Sequence, residues 1–203
     1  MMLKLTEHWN SIFTNQATER LGWQETDVSQ TLKFIKKAAL PACPTYFIPG
    51  AGASPLIGQL LNHNAKLILN DISDRCLFNL RETYGEHDCE YLHHDIATPL
   101  QPPQQVDFWL DRAVLHFLLE ESQITGYFNN LKASLSTGGY VLLAQFAHNG
   151  ATKCAGLPIK QYSLTQMQQR LGNEFTLLAH EHYTFTTPSG QSRPYLYALF
   201  QAK

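Results

Sequence analysis

Short apolar runs alternate along this chain with longer segments whose apolar positions recur every three or four residues. Tyr46–Pro49, Leu67–Asn70, Glu90–Leu92, Val106–Leu110 and Tyr140–Phe146 are of strand length and predict five β-strands. Between them, Pro55–Asn62, Asp74–Tyr84 and Gln123–Ser136 predict helices. Leu77, Leu80 and Tyr84 share a face of the second. Ile124, Tyr127, Phe128, Leu131 and Leu135 form one stripe of the third. Ser54 reads as the N-cap of the first helix, with Pro55 at its first position. Ser122 reads as the cap of the third, which Gly138-Gly139 ends. Such alternation calls for a parallel sheet with helices on both faces.

Both ends depart from this rhythm. The first forty residues read as helical cover. Val28, Leu32, Ile35 and Ala39 stand at helical spacing after Asp27, a candidate N-cap, and Pro41 and Pro44 close the segment. Near the other end, a short helix over Ser163–Leu171 precedes two strands, Phe175–Thr186 and Pro194–Gln201, joined by a turn at Pro188-Ser189-Gly190. Two strands joined without a helix make a hairpin, so one must run antiparallel in an otherwise parallel sheet. The expected architecture is Rossmann-like α/β: a seven-stranded mixed sheet with helices on both faces and the last strand antiparallel. The 203 residues suit one domain, with 1–40 as a helical cap and 41–203 as the core.

The turn after the first strand carries the clearest chemistry. Tyr46-Phe47-Ile48-Pro49 runs into Gly50-Ala51-Gly52-Ala53-Ser54-Pro55, and the second strand ends in Asn70-Asp71-Ile72-Ser73. Glycines let a backbone approach a ligand closely, and an acid ending the next strand can accept both hydroxyls of a ribose. This is the pattern of a nucleotide-type cofactor site at the carboxyl edge of a parallel sheet.

Composition narrows the surroundings. Charged residues make up 16%, and 15 basic residues stand against 17 acidic ones for a net charge of −2. No basic run marks a nucleic-acid surface. The apolar run Tyr140–Ala144 is too short to span a bilayer, and the first residues lack a signal-peptide core. Cys43, Cys76, Cys89 and Cys154 are scattered, with no CxxC pair, which suits a reducing cytoplasm.

From Trp9 to Phe200 the chain resembles the class I S-adenosylmethionine (AdoMet) methyltransferases. The resemblance rests on the glycine turn, Asp71 and Asp95 in His93-His94-Asp95-Ile96, in that order, together with the terminal hairpin. It implies that Gly50, Ala51 and Gly52 cradle the methionine part and ribose, that Asp71 and its neighbour Ile72 hold the ribose, and that Asp95 with Ile96 reads the adenine. Trp109-Leu110-Asp111-Arg112-Ala113-Val114-Leu115-His116-Phe117 and Gly156-Leu157-Pro158-Ile159-Lys160-Gln161-Tyr162 resemble runs of a bacterial-type subfamily without an assigned substrate. Trp9-Asn10 and Leu21-Gly22-Trp23-Gln24-Glu25 resemble its N-terminal cap. Two positions depart from the family pattern. Ile48 replaces the first-strand acid that helps hold the cofactor's ammonium, and Ser54 takes the third glycine position.

In such an enzyme the cofactor carries an already activated methyl group, and the protein aligns the partners and excludes water. Asp111 and Arg112, just past the fourth strand, either face the sulfonium and the nucleophile or lock the loop as an ion pair. Arg112 could also hold a substrate carboxylate. His116 is a candidate base or a packed helix-start histidine. Trp23 and Trp9 offer aromatic faces for a sulfonium or line a substrate channel, or else pack the cap; Glu25 stands in the same loop. Lys160, Tyr162 and Phe146 are candidate acceptor contacts. The expected partner is a methyl acceptor, either a small metabolite or a protein lysine, with no membrane and no nucleic acid. The alternative is an inactive AdoMet-binding or regulatory module of the same fold. A nicotinamide reductase fits less well, since Pro55 stands where G-x-G-x-x-G needs its third glycine. His93-His94 and His180-x-His182 lack the further ligands of a metal site, and no GxSxG elbow is present.

Overall fold

In the computed structural model, which describes residues 2–16, 21–25, 27–101, 105–187 and 189–203, the central strands form one sheet. They are β1 (Thr45–Ile48), β2 (Lys66–Asp71), β3 (Cys89–His93), β4 (Val106–Arg112) and β5 (Leu135–Phe146). A two-residue ribbon, β6 (Lys153–Cys154) with β7 (Leu157–Pro158), follows. The long hairpin strands β8 (Phe175–Thr186) and β9 (Ser192–Ala202) complete the set. The sheet order is β3-β2-β1-β4-β5-β9-β8. β1 to β5 run parallel, and β9 lies antiparallel between β5 and β8. The last strand is thus the antiparallel one, as the hairpin reading required.

Strand alternation splits the core into two layers. Tyr46, Ile48, Phe108 and Leu110 face one side, where α2 (Ser29–Ile35), α3 (Leu56–Leu61) and α4 (Asp74–Tyr84) contribute Phe34, Ile57 and Leu80. Phe47 and Trp109 stack on the other side at 4.3 Å between ring centres. There they meet Tyr127 and Leu131 of α5 (Glu121–Ser134) and Met167 of α6 (Leu164–Leu171). α1 (Met2–Asn15) lies against α4, where Asn10 Oδ1 accepts from Ser73 Oγ at 2.6 Å.

Several local readings need correction. α5 is capped by Glu120, in a capping box with Gln123, and Ser122 lies inside its first turn. The helix ends at Ser134 and β5 begins at once, so Gly138-Gly139 sits within that strand rather than closing the helix. α3 starts at Leu56, although Ser54 Oγ still accepts its N–H at 3.3 Å. Asp27 accepts from Ser29 N at 2.8 Å one residue ahead of the N-cap, Val28, and α2 ends at Ile35, short of Ala39. Pro188 of the hairpin turn lies outside the described residues. β4 continues two residues beyond the predicted end, which puts Asp111 and Arg112 on the strand itself.

Candidate active site

The strand order reverses between β1 and β4: the chain moves outward to β2 and β3, then returns to the other side of β1. At such a switch point the loops at the carboxyl ends part and leave a crevice. Here it is a cavity of about 1230 Å³, counting its solvent-filled mouth. Gly50, Ala51 and Gly52 line it from the β1 turn, Asp71 and Ile72 from the end of β2, and Asp95 and Ile96 from the loop after β3. Arg112 enters from β4, Trp9 and Phe13 from α1, and Trp23 and Glu25 from the segment after it.

The glycine turn is bent for close approach. Gly50 has φ +51° and a Cβ there would stand 2.3 Å from Val114 Cγ2, so only glycine fits. Gly52 N–H donates to Asp71 Oδ2 at 3.2 Å, and Ser73 N–H donates to Oδ1 at 2.9 Å. Burial pushes the Asp71 carboxyl above its ordinary range, while those two N–H groups pull it back. A carboxylate has about four acceptor sites, so each oxygen keeps capacity after its backbone bond. Asp95 is half-buried and accepts from Ala97 N–H at 3.0 Å, which likewise leaves room. Neither carboxylate has an ion-pair partner among the described residues.

No protein-family model matches the sequence, and no curated protein does. Solved structures do match. A SAM-dependent methyltransferase from Anabaena variabilis ATCC 29413 superposes with a TM-score of 0.79 at 13% identity, covering 100% of this chain and 95% of that one. The 1,6-didemethyltoxoflavin-N1-methyltransferase of Burkholderia thailandensis, with bound 1,6-didemethyltoxoflavin and S-adenosylhomocysteine, gives 0.69 at 15% identity over 100% and 85%. The N-methyltransferase NodS of Bradyrhizobium japonicum WM9, in complex with S-adenosylhomocysteine, gives 0.65 at 18% identity over 86% and 84%. The chain has the class I methyltransferase fold.

Within that fold, Trp9, Trp23, Gly50, Ala51, Gly52, Asp71, Ile72, Asp95, Ile96 and Arg112 share the cavity. Asp111, His116, Phe146, Lys160 and Tyr162 are not among its lining residues. The reason for Asp111 is strand alternation: Leu110 and Arg112 face the cavity, so Asp111 points through the opposite face. There it is wholly buried and accepts from Tyr127 OH at 2.6 Å, Val114 N–H at 3.0 Å and Leu115 N–H at 3.1 Å. Tyr127 OH in turn accepts from Trp109 Nε1 at 2.9 Å. Asp111 thereby shapes the turn that sets Val114 against Gly50.

His116 is buried between Phe117 and Phe146, with neither ring nitrogen partnered among the described residues. Burial, then the charge of Arg112, pushes its pKa down to about 3, so it is a neutral, packed ring near pH 7. Phe146 also packs on Tyr195, 4.6 Å between ring centres. Lys160 lies over the Tyr162 ring at 5.7 Å, and Tyr162 is buried.

Three further residues line the cavity, two of them with a signal in the sequence. Phe13 stands four residues after Trp9, one helical turn, and so on the same face of α1. Phe117, which the sequence places in the run resembling the subfamily and marks as a core position, meets Trp9 edge-on at 5.2 Å and lines the cavity. Cys154 reaches the cavity through the β6/β7 ribbon, which no sequence pattern announced.

Proposed function

We propose that this chain is an AdoMet-dependent methyltransferase with a small-molecule acceptor. The observation that carries this reading is the convergence of the Gly50–Gly52 turn, Asp71 and Asp95 on one cavity at the switch point. The donor set suits AdoMet. The turn leaves a ledge bare of side chains beyond a methyl, Asp71 retains acceptor sites for two ribose hydroxyls, and Asp95 retains one for an exocyclic amine. When bound, AdoMet supplies a methyl group on a sulfonium, ready for direct displacement. The chain's own part is alignment and drying. Asp71 and Asp95 would hold the nucleoside, the Gly50–Gly52 backbone would hold the amino-acid end, and Trp9 and Phe13 of α1 give the cavity an apolar lining that disfavours water. Asp111 acts through the turn after β4 as a positioning residue. Arg112 belongs to the wall where the acceptor sits.

A small acceptor is favoured over a protein lysine because Leu5, Trp9 and Phe13 of α1 line the cavity, and because the 1,6-didemethyltoxoflavin-N1-methyltransferase of the same fold holds 1,6-didemethyltoxoflavin. The apolar Ile48 at the usual first-strand acid position lines the cavity and leaves the methionine ammonium to other partners. The test is a thermal-unfolding titration with AdoMet and S-adenosylhomocysteine, with NADH as control. A ligand at one hundred times its dissociation constant adds about 2.7 kcal/mol, or roughly 5–10 °C for a chain of this size. A shift with either sulfur ligand and none with NADH is expected. No shift with either overturns the reading.

A further inference from the structure

Asp71 and Asp95 belong to the β2 and β3 side of the cavity. On the other side of β1, the wall is built differently. Arg112 Nε stands 2.8 Å from Glu25 Oε1, with the two side chains only 12% and 3% exposed. Arg112 also donates through Nη1 to the Trp23 carbonyl at 3.3 Å, and the rings of Phe185 and Tyr195 lie 5.1 and 5.2 Å from its guanidinium carbon. Trp9 stands edge-on to both Trp23, at 5.6 Å, and Phe117, at 5.2 Å. Among the described residues, Glu25 and Arg112 are the only formally charged groups on this side of the cavity.

A buried ion pair is a poor stabiliser, since well-packed apolar groups commonly do as well or better. Its presence on a ligand-facing wall therefore asks for another reason. The pair makes this wall electrically neutral. Glu25 Oε2 and Arg112 Nη2 are both shut off from solvent, and the Tyr197 hydroxyl, which does not line the cavity, lies beside both side chains. A carboxylate brought here would meet Arg112 only in competition with Glu25, and an ammonium would meet Glu25 only in competition with Arg112. Either would lose its hydration without a free counter-charge. A flat, uncharged molecule loses little on entering between aromatic walls.

We propose that the Glu25–Arg112 wall is the acceptor subsite and selects small, flat, uncharged heterocycles, with Glu25 as the specificity-determining residue that cancels the charge of Arg112. This rests on the methyltransferase reading of the cavity. Its test uses the whole chain saturated with S-adenosylhomocysteine and follows quenching of tryptophan fluorescence, since Trp9 and Trp23 line the cavity. The probes are 2-quinolone, 2-quinolone-4-carboxylate and 4-aminomethyl-2-quinolone, one scaffold in three charge states. Wild type should bind the neutral probe at least tenfold tighter than either charged one. Glu25→Gln leaves Arg112 uncancelled and should tighten the carboxylate at least tenfold. Because that variant leaves a buried charge unpaired, which costs stability, Glu25→Gln with Arg112→Gln is run beside it; this neutral wall should keep the wild-type order. Absence of neutral-probe binding, a charged probe binding wild type as tightly, or a folded Glu25→Gln without the gain overturns the proposal. Failure of S-adenosylhomocysteine itself to bind overturns the methyltransferase reading, and this inference with it; normal binding with the wrong probe order removes the acceptor assignment alone.

Discussion

Asp71→Asn separates the carboxylate's charge from its shape. In the native site Oδ2 accepts from Gly52 N–H at 3.2 Å and Oδ1 from Ser73 N–H at 2.9 Å. Asparagine keeps one acceptor oxygen and sets an NH2 against the other amide, so one backbone N–H then faces a donor. A hydrogen bond to a charged group contributes about 1.5–3 kcal/mol, and the loss is offset in part because a buried charge disappears with it. The fold should therefore survive with a modest shift in its urea midpoint. Binding has no such offset. The ribose hydroxyls lose a charged acceptor and find one neutral oxygen, a deficit of about 2–3 kcal/mol, which is about 30- to 150-fold in Kd. Isothermal titration with S-adenosylhomocysteine measures it, and a urea transition of the same protein reports the fold. A change in Kd below threefold in a cooperatively folded variant would refute the assignment of Asp71 to the ribose.

Two further outcomes follow from the same geometry. Gly50→Ala forces a side chain into φ +51° and a Cβ to within 2.3 Å of Val114 Cγ2, so it should destabilise by about 2–4 kcal/mol and abolish S-adenosylhomocysteine binding; Val114→Ala in the same chain should recover part of the stability in urea melts, and no recovery would rule out the clash. Burial holds His116 down to about 3 against an ordinary 6.5, so below pH 6.5 the unfolded chain takes up a proton that the folded chain refuses, and stability falls with pH. Relative to His116→Phe, wild type should lose about 1.4 kcal/mol more between pH 7.5 and 5.5, as read from urea midpoints at both pH values; Asp71 and Asp111, which burial shifts upward, act with the opposite sign and cancel in the comparison.

Local signals recovered the sheet because they are strong and short-ranged. The apolar runs at Tyr46, Leu67 and Val106 each sit within a residue of the observed strand starts, and the hairpin after Phe175 required an antiparallel partner. Helix ends were less legible. Ser122 and Glu120 are both plausible caps by residue type, and the choice depends on which side chain reaches the first-turn N–H groups.

The sequence by itself determined the side of the cavity built by β1, β2 and β3. Gly50, Gly52, Asp71 and Asp95 stand at or just past the ends of consecutive parallel strands, and parallel strands bring such ends to one edge whatever the rest of the chain does. The side of the cavity built at the end of β4 was decided only by tertiary structure. Asp111 and Arg112 are neighbours in the chain, yet the two-residue strand period sends Arg112 to the cavity and Asp111 to Tyr127 behind it. Glu25 lies 87 residues from Arg112 in the chain and meets it only because the segment after α1 folds over the end of β4. Burial then turned His116 from a candidate base into a neutral packed ring, an effect of surroundings that no residue type carries with it.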